Sequence, residues 1–144
     1  MLDRKIVPPI KDAVDYKLTL KPYELHKLSN GVSLYAVDMG AEDVLMLEIV
    51  FYAGNCYEQA KLVAATTNYL IKNGTKNKTA FQVNEHFEYY GAYLNRSCQN
   101  ETATITLHCL SKHLPKLLPV IREIITESVF PEEAQGNVQP IRFL

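Results

Sequence analysis

The chain has 144 residues, of which 47% are apolar and 22% are charged, and its formal net charge is −1. This length suits one domain or part of one, and the composition is that of an ordinary globular protein that can form a core. The net charge offers no basic surface for a nucleic-acid backbone. No stretch approaches the roughly 18 apolar residues of a membrane-spanning helix. The sequence therefore predicts a globular domain that binds no nucleic acid and has no membrane span.

The N-terminal 22 residues contain Pro8, Pro9 and Pro22 and show little periodicity. We therefore expect an extended arm over residues 1–22 and a domain over residues 23–144. The first residues lack the apolar core of a secretory signal. The location is left open between the cytoplasm and, if a leader has been removed, the periplasm or cell envelope.

Two short strands are predicted at the start of the domain. Residues 23–28 and 32–37 carry alternating apolar side chains, and Asn30-Gly31 lies between them. Asn-Gly is a strong hairpin signal because both central positions of such a turn need positive φ. A longer strand is predicted over residues 44–52, with one apolar face formed by Leu45, Leu47, Ile49 and Phe51.

Helices and strands alternate in the rest of the chain. The pattern predicts helices over 59–72 and 80–90 and strands over 92–98 and 102–110. The second helix has an expected packing face of Phe81, Val83, Phe87 and Tyr90. A third helix has an amphipathic face of Leu114, Leu117, Leu118, Ile121, Ile124 and Ile125. Pro131 suits another helix start. The predicted class is α+β, a mixed or antiparallel sheet with helices packed on one face.

Several short sequence words occur in the order found in the M16 metallopeptidases, the pitrilysin, insulinase and mitochondrial-processing-peptidase-like enzymes. FEYYGAYLN at 87–95, for example, is similar to the family pattern L-E-x-x-G-G-x-L-N-A, and NGT at 73–75 stands where the family has K-G-T. The other words are LSNGVSLY (28–35), FYAGNCYE (51–58), LSKHLPKLL (110–118) and VFPEE (129–133). The ordered set resembles the family's N-terminal domain, which implies the LuxS/MPP-like metallohydrolase fold. We expect a partial domain, incomplete at its C-terminus.

The resemblance implies where catalytic chemistry would lie. The family carries H-x-x-E-H on its first helix, where two His bind Zn²⁺ and the Glu is general base for the bound water. With the NGT word as anchor, these positions fall at Ala65, Asn68 and Tyr69. None of these side chains suits its role, so we predict that the zinc site is vacated.

No other register restores the histidine pair, because no His occurs between His26 and His86. The family's third ligand, a downstream Glu, would fall at or past Leu144. We therefore predict no catalytic residue, no metal ligand and no bound cofactor in this chain, with zinc expected only in a partner subunit.

Other candidate sites are weaker. A displaced metal site at Glu85, His86 and Glu88 is opposed by the poor geometry of residues two apart on a helix, and a solvated helix face is the simpler interpretation. Cys56 follows a strand, but the sequence offers no positioned base for a thiol nucleophile. Cys98 and Cys109 are interpreted as small core or sheet residues. A group of tyrosines could line a cavity: Tyr89, Tyr90 and Tyr93.

Members of the M16 family often work as pairs or clamshells in which one half lacks zinc. The resemblance thus implies a non-catalytic subunit that helps to bind or enclose peptide substrates for a catalytic, H-x-x-E-H-bearing M16 partner. One alternative is a structural or assembly core subunit of a complex, without a peptidase role. Another is an active zinc metallopeptidase, which would require this segment to bind metal.

Overall fold

The computed structural model describes residues 18–40 and 42–130. The chain divides into two compact units, residues 1–39 and residues 40–144. The predicted helix start at Pro131 lies outside the described residues, as does most of the predicted arm over residues 1–22. The division into an arm and a domain at residue 23 therefore stays a prediction.

The described part of the first unit is a β-hairpin. Strand β1 (Glu24–Lys27) pairs antiparallel with β2 (Ser33–Ala36), with Lys27 opposite Ser33. The two predicted strands are confirmed, each slightly shorter than expected.

The hairpin turn differs from the two-residue turn that Asn-Gly predicts. Gly31 has φ of 84°, whereas Asn30 does not have positive φ. The amide of Gly31 donates to the carbonyl oxygen of Leu28 at 2.9 Å, and the amide of Leu28 donates to that of Val32 at 2.9 Å. The loop thus has three residues and ends in a left-handed glycine, a common hairpin geometry in which one glycine suffices. The expectation of two positive φ angles was wrong.

The second unit contains a three-stranded antiparallel sheet in the order β3-β5-β4, formed by β3 (Val44–Phe51), β4 (Tyr93–Cys98) and β5 (Ala103–Leu110). Both ladders are antiparallel, and Ile105 of β5 lies opposite Ile49 on one side and Arg96 on the other. The predicted strands are confirmed. Alternate residues of β3 are more buried, as the sequence predicts.

Three helices belong to the same unit: α1 (Val63–Leu70), α2 (Ala80–Tyr89) and α3 (Leu114–Thr126). Helix α2 begins as predicted, because the Thr79 side chain accepts from the amide of Gln82 and the Gln82 side chain accepts from the amide of Thr79. It ends at Gly91, which has φ of 60°.

Helix α1 is shorter than the predicted 59–72. Residues 59–62 form bends and turns, and Leu62 has φ of 70°, which no helical residue adopts. The carboxylate of Glu58 accepts from the amides of Leu62 at 3.1 Å and Ala64 at 3.2 Å. This carboxylate satisfies amides that a helix start leaves without intrahelical partners, so it fixes the start of α1 four residues later than predicted.

The core of this unit lies between the sheet and helices α2 and α3. Its buried residues are Val83, Phe87, Leu94, Ile105, Leu107, Cys109, Leu117, Val120, Ile121 and Ile124. Phe81 was expected in this core but is 73% exposed, and Leu118 is also exposed. The opposite face of the sheet exposes Val44, Met46 and Val50. The α+β class with an antiparallel sheet is confirmed.

Candidate functional site

Helix α1 lies beside an open cavity of about 520 Å³. The helix contributes Val63, Ala64, Thr67 and Asn68, and Ile71 follows from the residue after its end. The sheet and α3 close the cavity with largely apolar side chains, which include Phe51, Ala103, Ile105 and Ile125. The predicted tyrosine lining is not found here, since Tyr89, Tyr90 and Tyr93 do not line this cavity.

The three positions predicted to correspond to H-x-x-E-H have different environments. Ala65 is half-buried and offers only a methyl group. Asn68, which the resemblance predicts to replace the family's general base, is 7% exposed and lines the cavity. Tyr69 is 60% exposed. The structure thus places Asn68 in the cavity and directs Tyr69 away from the core.

Arg96 of strand β4 lies against Tyr69, the position predicted to correspond to the second histidine. Its Nη1 donates to the main-chain oxygen of Tyr69. Its guanidinium carbon is 5.5 Å from the centre of the Tyr69 ring, within the range of a cation–π contact. Its Nε is buried and, among the described residues, has no hydrogen-bond partner. Arg96 follows Asn95 and so occupies the place of the alanine in the family's L-N-A word.

A second cation, Lys72, lies near Arg96. Burial lowers the pKa of the Lys72 ammonium, the charge of Arg96 lowers this pKa further, and Glu88 partly opposes the shift. Burial also lowers the pKa of Arg96, while Tyr69 and Tyr93 raise it. Both side chains are therefore partly desolvated, and the two positive charges repel each other.

Sequence reasoning missed Arg96 and Lys72. A signal was present in β4, where Leu94, Arg96 and Cys98 occupy alternate positions. Their cross-strand neighbours on β5 are the buried Leu107, Ile105 and Ala103. An arginine at such a position breaks the apolar alternation, and breaks of this kind are concentrated at functional sites.

The candidate metal site at Glu85, His86 and Glu88 is not assembled in the structure. Nε2 of His86 lies 3.0 Å from the main-chain oxygen of Lys116, and the His86 ring packs edge-on against Tyr90 at 5.1 Å. In the part of the chain that the structure describes, no three His, Cys, Asp or Glu side chains are grouped to hold a metal ion. Glu85, His86 and Glu88 are therefore not assembled into a site.

The three cysteines differ in their exposure to solvent. Cys56 is exposed and Cys109 is buried. Burial, together with the charge of Glu58, raises the pKa of the Cys98 thiol, and burial alone raises that of Cys109. A raised pKa disfavours the thiolate, which is the nucleophilic form.

Comparison with known proteins identifies the fold's family. The sequence profile of insulinase (peptidase family M16) matches residues 40–139. The chain belongs to the M16 peptidase family. Proteins described as uncharacterized zinc proteases of Rickettsia felis and Rickettsia bellii are each 26% identical to it over 113 residues. The match covers 77% of this chain but only 27% of each relative, so the chain spans about a quarter of their length.

Solved structures of bacterial proteins share the fold. A structure described as a peptidase M16 inactive domain from Pseudomonas fluorescens superposes with a TM-score of 0.75 at 21% identity, covering 81% of this chain and 29% of that one. A protease from Helicobacter pylori superposes with a TM-score of 0.70 at 20% identity, covering 80% of this chain and 28% of that one. The chain therefore has the fold of part of an M16 domain.

Within the described residues, no helix has the length and apolar content needed to cross a membrane.

Proposed function

We propose that this chain is a non-catalytic M16 domain that binds peptide for an H-x-x-E-H-bearing M16 partner. The observation that carries the proposal is the guanidinium of Arg96 over Tyr69, at the position of the second zinc-binding histidine. A fixed positive charge at this point repels a divalent cation.

The side chains at the matched positions do not fit zinc. Zinc in proteins takes imidazole nitrogen, thiolate or carboxylate ligands. Ala65 offers no ligand atom, Tyr69 offers only a phenol, and the amide of Asn68 cannot accept the proton that a general base must take from water. The proposal therefore assigns no hydrolytic step to this chain.

Strand β4 supports the peptide-binding half of the proposal. Among the described strands, β4 pairs only with β5, so one side of its backbone has no strand partner. An extended peptide can add to such an edge through main-chain hydrogen bonds, which bind it with little dependence on its sequence. Helix α1 packs against β4, and its other neighbours include the cavity that Thr67 and Asn68 line.

The test is co-purification of this chain with an intact H-x-x-E-H paralogue, followed by a peptidase assay of each chain alone and of the pair. We expect no hydrolysis by this chain alone and a higher kcat/KM for the pair than for the paralogue. A paralogue with its motif glutamate changed to glutamine is the control, and its pair with this chain should be inactive. If this chain changes neither the activity nor the stability of the paralogue, the proposal fails.

An assembly role is the second candidate, and the exposed outer face of β3 favours it. Val44, Met46 and Val50 are exposed apolar side chains on this strand, with Glu48 among them on the same face, and grouped exposed apolar side chains often mark protein interfaces. This role predicts a stable complex in which the partner's kcat/KM does not change. Stoichiometric zinc binding with hydrolysis by this chain alone would instead support an active peptidase.

A further inference from the structure

Arg96 lies in a cross-strand row of the sheet whose other members are apolar. Its cross-strand neighbour Ile105 is 1% exposed, and Ile49 lies on the far side of Ile105 in the same row. Bringing a guanidinium into this row removes it partly from water, which is unfavourable unless its charge is compensated.

Among the residues that the structure describes, the charges of Arg96 and Lys72 are not fully compensated. The ion pairs of the described residues join Lys78 to Glu123 and His26 to Glu24, so neither Arg96 nor Lys72 has a carboxylate within 4.0 Å. Arg96 has the main-chain oxygen of Tyr69 and the ring above it, but its Nε is left without a partner. Glu88 acts on Lys72 only at longer range.

We propose that Arg96 and Lys72 bind a carboxylate of the peptide that pairs along β4, so that this domain selects acidic peptides. The inference rests on the proposed function and adds the substrate class. Nη1 is engaged by Tyr69 and Nε is buried, which leaves Nη2 of the guanidinium for the ligand. A carboxylate oxygen accepts a charge-assisted hydrogen bond from Nη2, and the ammonium of Lys72 adds a second, adaptable charge.

Nearness to the edge strand makes a peptide the fitting source of this carboxylate. Arg96 is itself a residue of β4, so a side chain of an added strand would pass within reach of its guanidinium. The carboxylate can belong to an Asp or Glu side chain or to the peptide's C-terminus. Both present the same chemistry, and the experiment separates them.

The experiment measures binding of fluorescent peptides to the full chain by anisotropy. Four peptides of one length are compared, with Glu or Gln at the central position and with a free or an amidated C-terminus. We expect the peptides with a carboxylate to bind about tenfold more tightly than the neutral one, as for hydrogen bonds to a charged group. This preference should weaken at high salt. The pair of peptides that differ only in the C-terminus identifies the source of the carboxylate.

Variants locate the effect. Arg96→Gln should abolish the preference for acidic peptides, and Lys72→Gln should reduce it. Lys76→Gln is the matched control, because Lys76 is exposed and carries no side-chain contact to this cluster. Arg96→Lys keeps a charge and should retain part of the preference, and it serves if the Gln variant does not fold.

The outcomes distinguish selectivity for acidic peptides from peptide binding itself. If the wild-type chain binds the acidic and neutral peptides equally, the acidic selectivity is wrong while peptide binding stands. If it binds none of the four peptides, the proposed function itself fails. If the preference survives in Arg96→Gln but is lost in Lys76→Gln, this site is not the one that reads the charge.

Discussion

Gly54 follows strand β3 at a point where the chain passes against the turn between β4 and β5. Its amide donates to the main-chain oxygen of Glu101 at 3.2 Å. A Cβ at this position would lie 2.4 Å from the main-chain oxygen of Gln99 and 2.5 Å from that of Asn100. The φ of −80° is open to any residue, so the restriction is one of space.

Gly54→Ala should therefore destabilise the protein by about 1–3 kcal/mol, the usual cost of forcing an extra group into a packed site. Urea denaturation followed by circular dichroism gives the free energy of unfolding directly. An unchanged value would mean that the β4–β5 turn can move away from residue 54 without loss.

Glu123 on α3 holds the segment between α1 and α2 in place. Its Oε1 accepts from the Thr75 hydroxyl at 2.6 Å, and its Oε2 pairs with the ammonium of Lys78. Hydrogen bonds from Lys78 and then Thr75 lower the pKa of Glu123. A carboxyl whose pKa is lower in the folded state stabilises the fold above its unfolded pKa of about 4.3, and this contribution is lost as the pH falls through the folded value.

Glu123→Gln should lower the free energy of unfolding at pH 7 by about 1–3 kcal/mol, as loss of hydrogen bonds to a charged group does. The variant should also lose less stability than the wild type when the pH falls below about 4.3. Denaturation curves at pH 7 and at acid pH measure both effects. Glu85→Gln is the control, because Glu85 is exposed and its change should leave both curves as in the wild type.

At the scale of single elements, helix α2 begins with two reciprocal hydrogen bonds between Thr79 and Gln82. Thr79→Ala removes the acceptor for the Gln82 amide and should cost about 1 kcal/mol, whereas Thr79→Ser keeps the hydroxyl and should cost less. Thermal unfolding of the two variants tests this order. Equal midpoints for Ala and Ser would mean that the cap does not contribute to stability.

Local sequence predicted the strands and the start of α2 because their determinants lie within a few residues. Alternation in β3 and β5 reflects one buried face, and the two side chains that cap α2, Thr79 and Gln82, lie three residues apart. The start of α1 was missed because Glu58, which caps it, lies five residues before the first helical residue, Val63. Phe81 was misplaced because an apolar side chain in the first turn of a helix need not share the face of Val83 and Phe87.

The sequence predicted the part of the candidate site on helix α1 but not the part on strand β4. The positions of Ala65, Asn68 and Tyr69 follow from the resemblance to M16 words, and they remain predictions about a vacated zinc site. Arg96 lies on another element, and only the pairing of β4 with β5 and the packing of α1 bring it to Tyr69. Contacts of this kind depend on tertiary structure, which no local pattern contains.

At the scale of the whole molecule, the residues that determine the fold differ from those that metal binding would require. A TM-score of 0.75 at 21% identity shows that the M16 architecture persists while most side chains differ. The core between the sheet and helices α2 and α3 is built of apolar side chains. Such a core tolerates exchange of apolar residues, whereas metal binding depends on a few side chains that can change without loss of the fold.

This separation predicts how a zinc site could be rebuilt. The variant Ala65→His, Asn68→Glu, Tyr69→His writes H-x-x-E-H on α1, yet Arg96 should remain in place because it donates to the main-chain oxygen of residue 69 rather than to its side chain. The positive charge of Arg96 should then lower the affinity of the site for Zn²⁺. Adding Arg96→Ala, which restores the alanine of the family word, should raise zinc affinity by about tenfold or more, since a unit charge a few Å from a divalent ion is worth more than 1.4 kcal/mol even at an effective dielectric constant of about 20.

Calorimetric titration with zinc measures this difference, and the triple variant with Lys76→Ala in place of Arg96→Ala is the matched control. Two histidines form an incomplete ligand set, so the comparison rests on the ratio of the two affinities rather than on either value. If the triple variant binds zinc as tightly as the variant with Arg96→Ala, the guanidinium does not oppose the metal. The exclusion of zinc would then depend on the lost ligands alone. The proposed role of Arg96 would be limited to binding the carboxylate of the peptide.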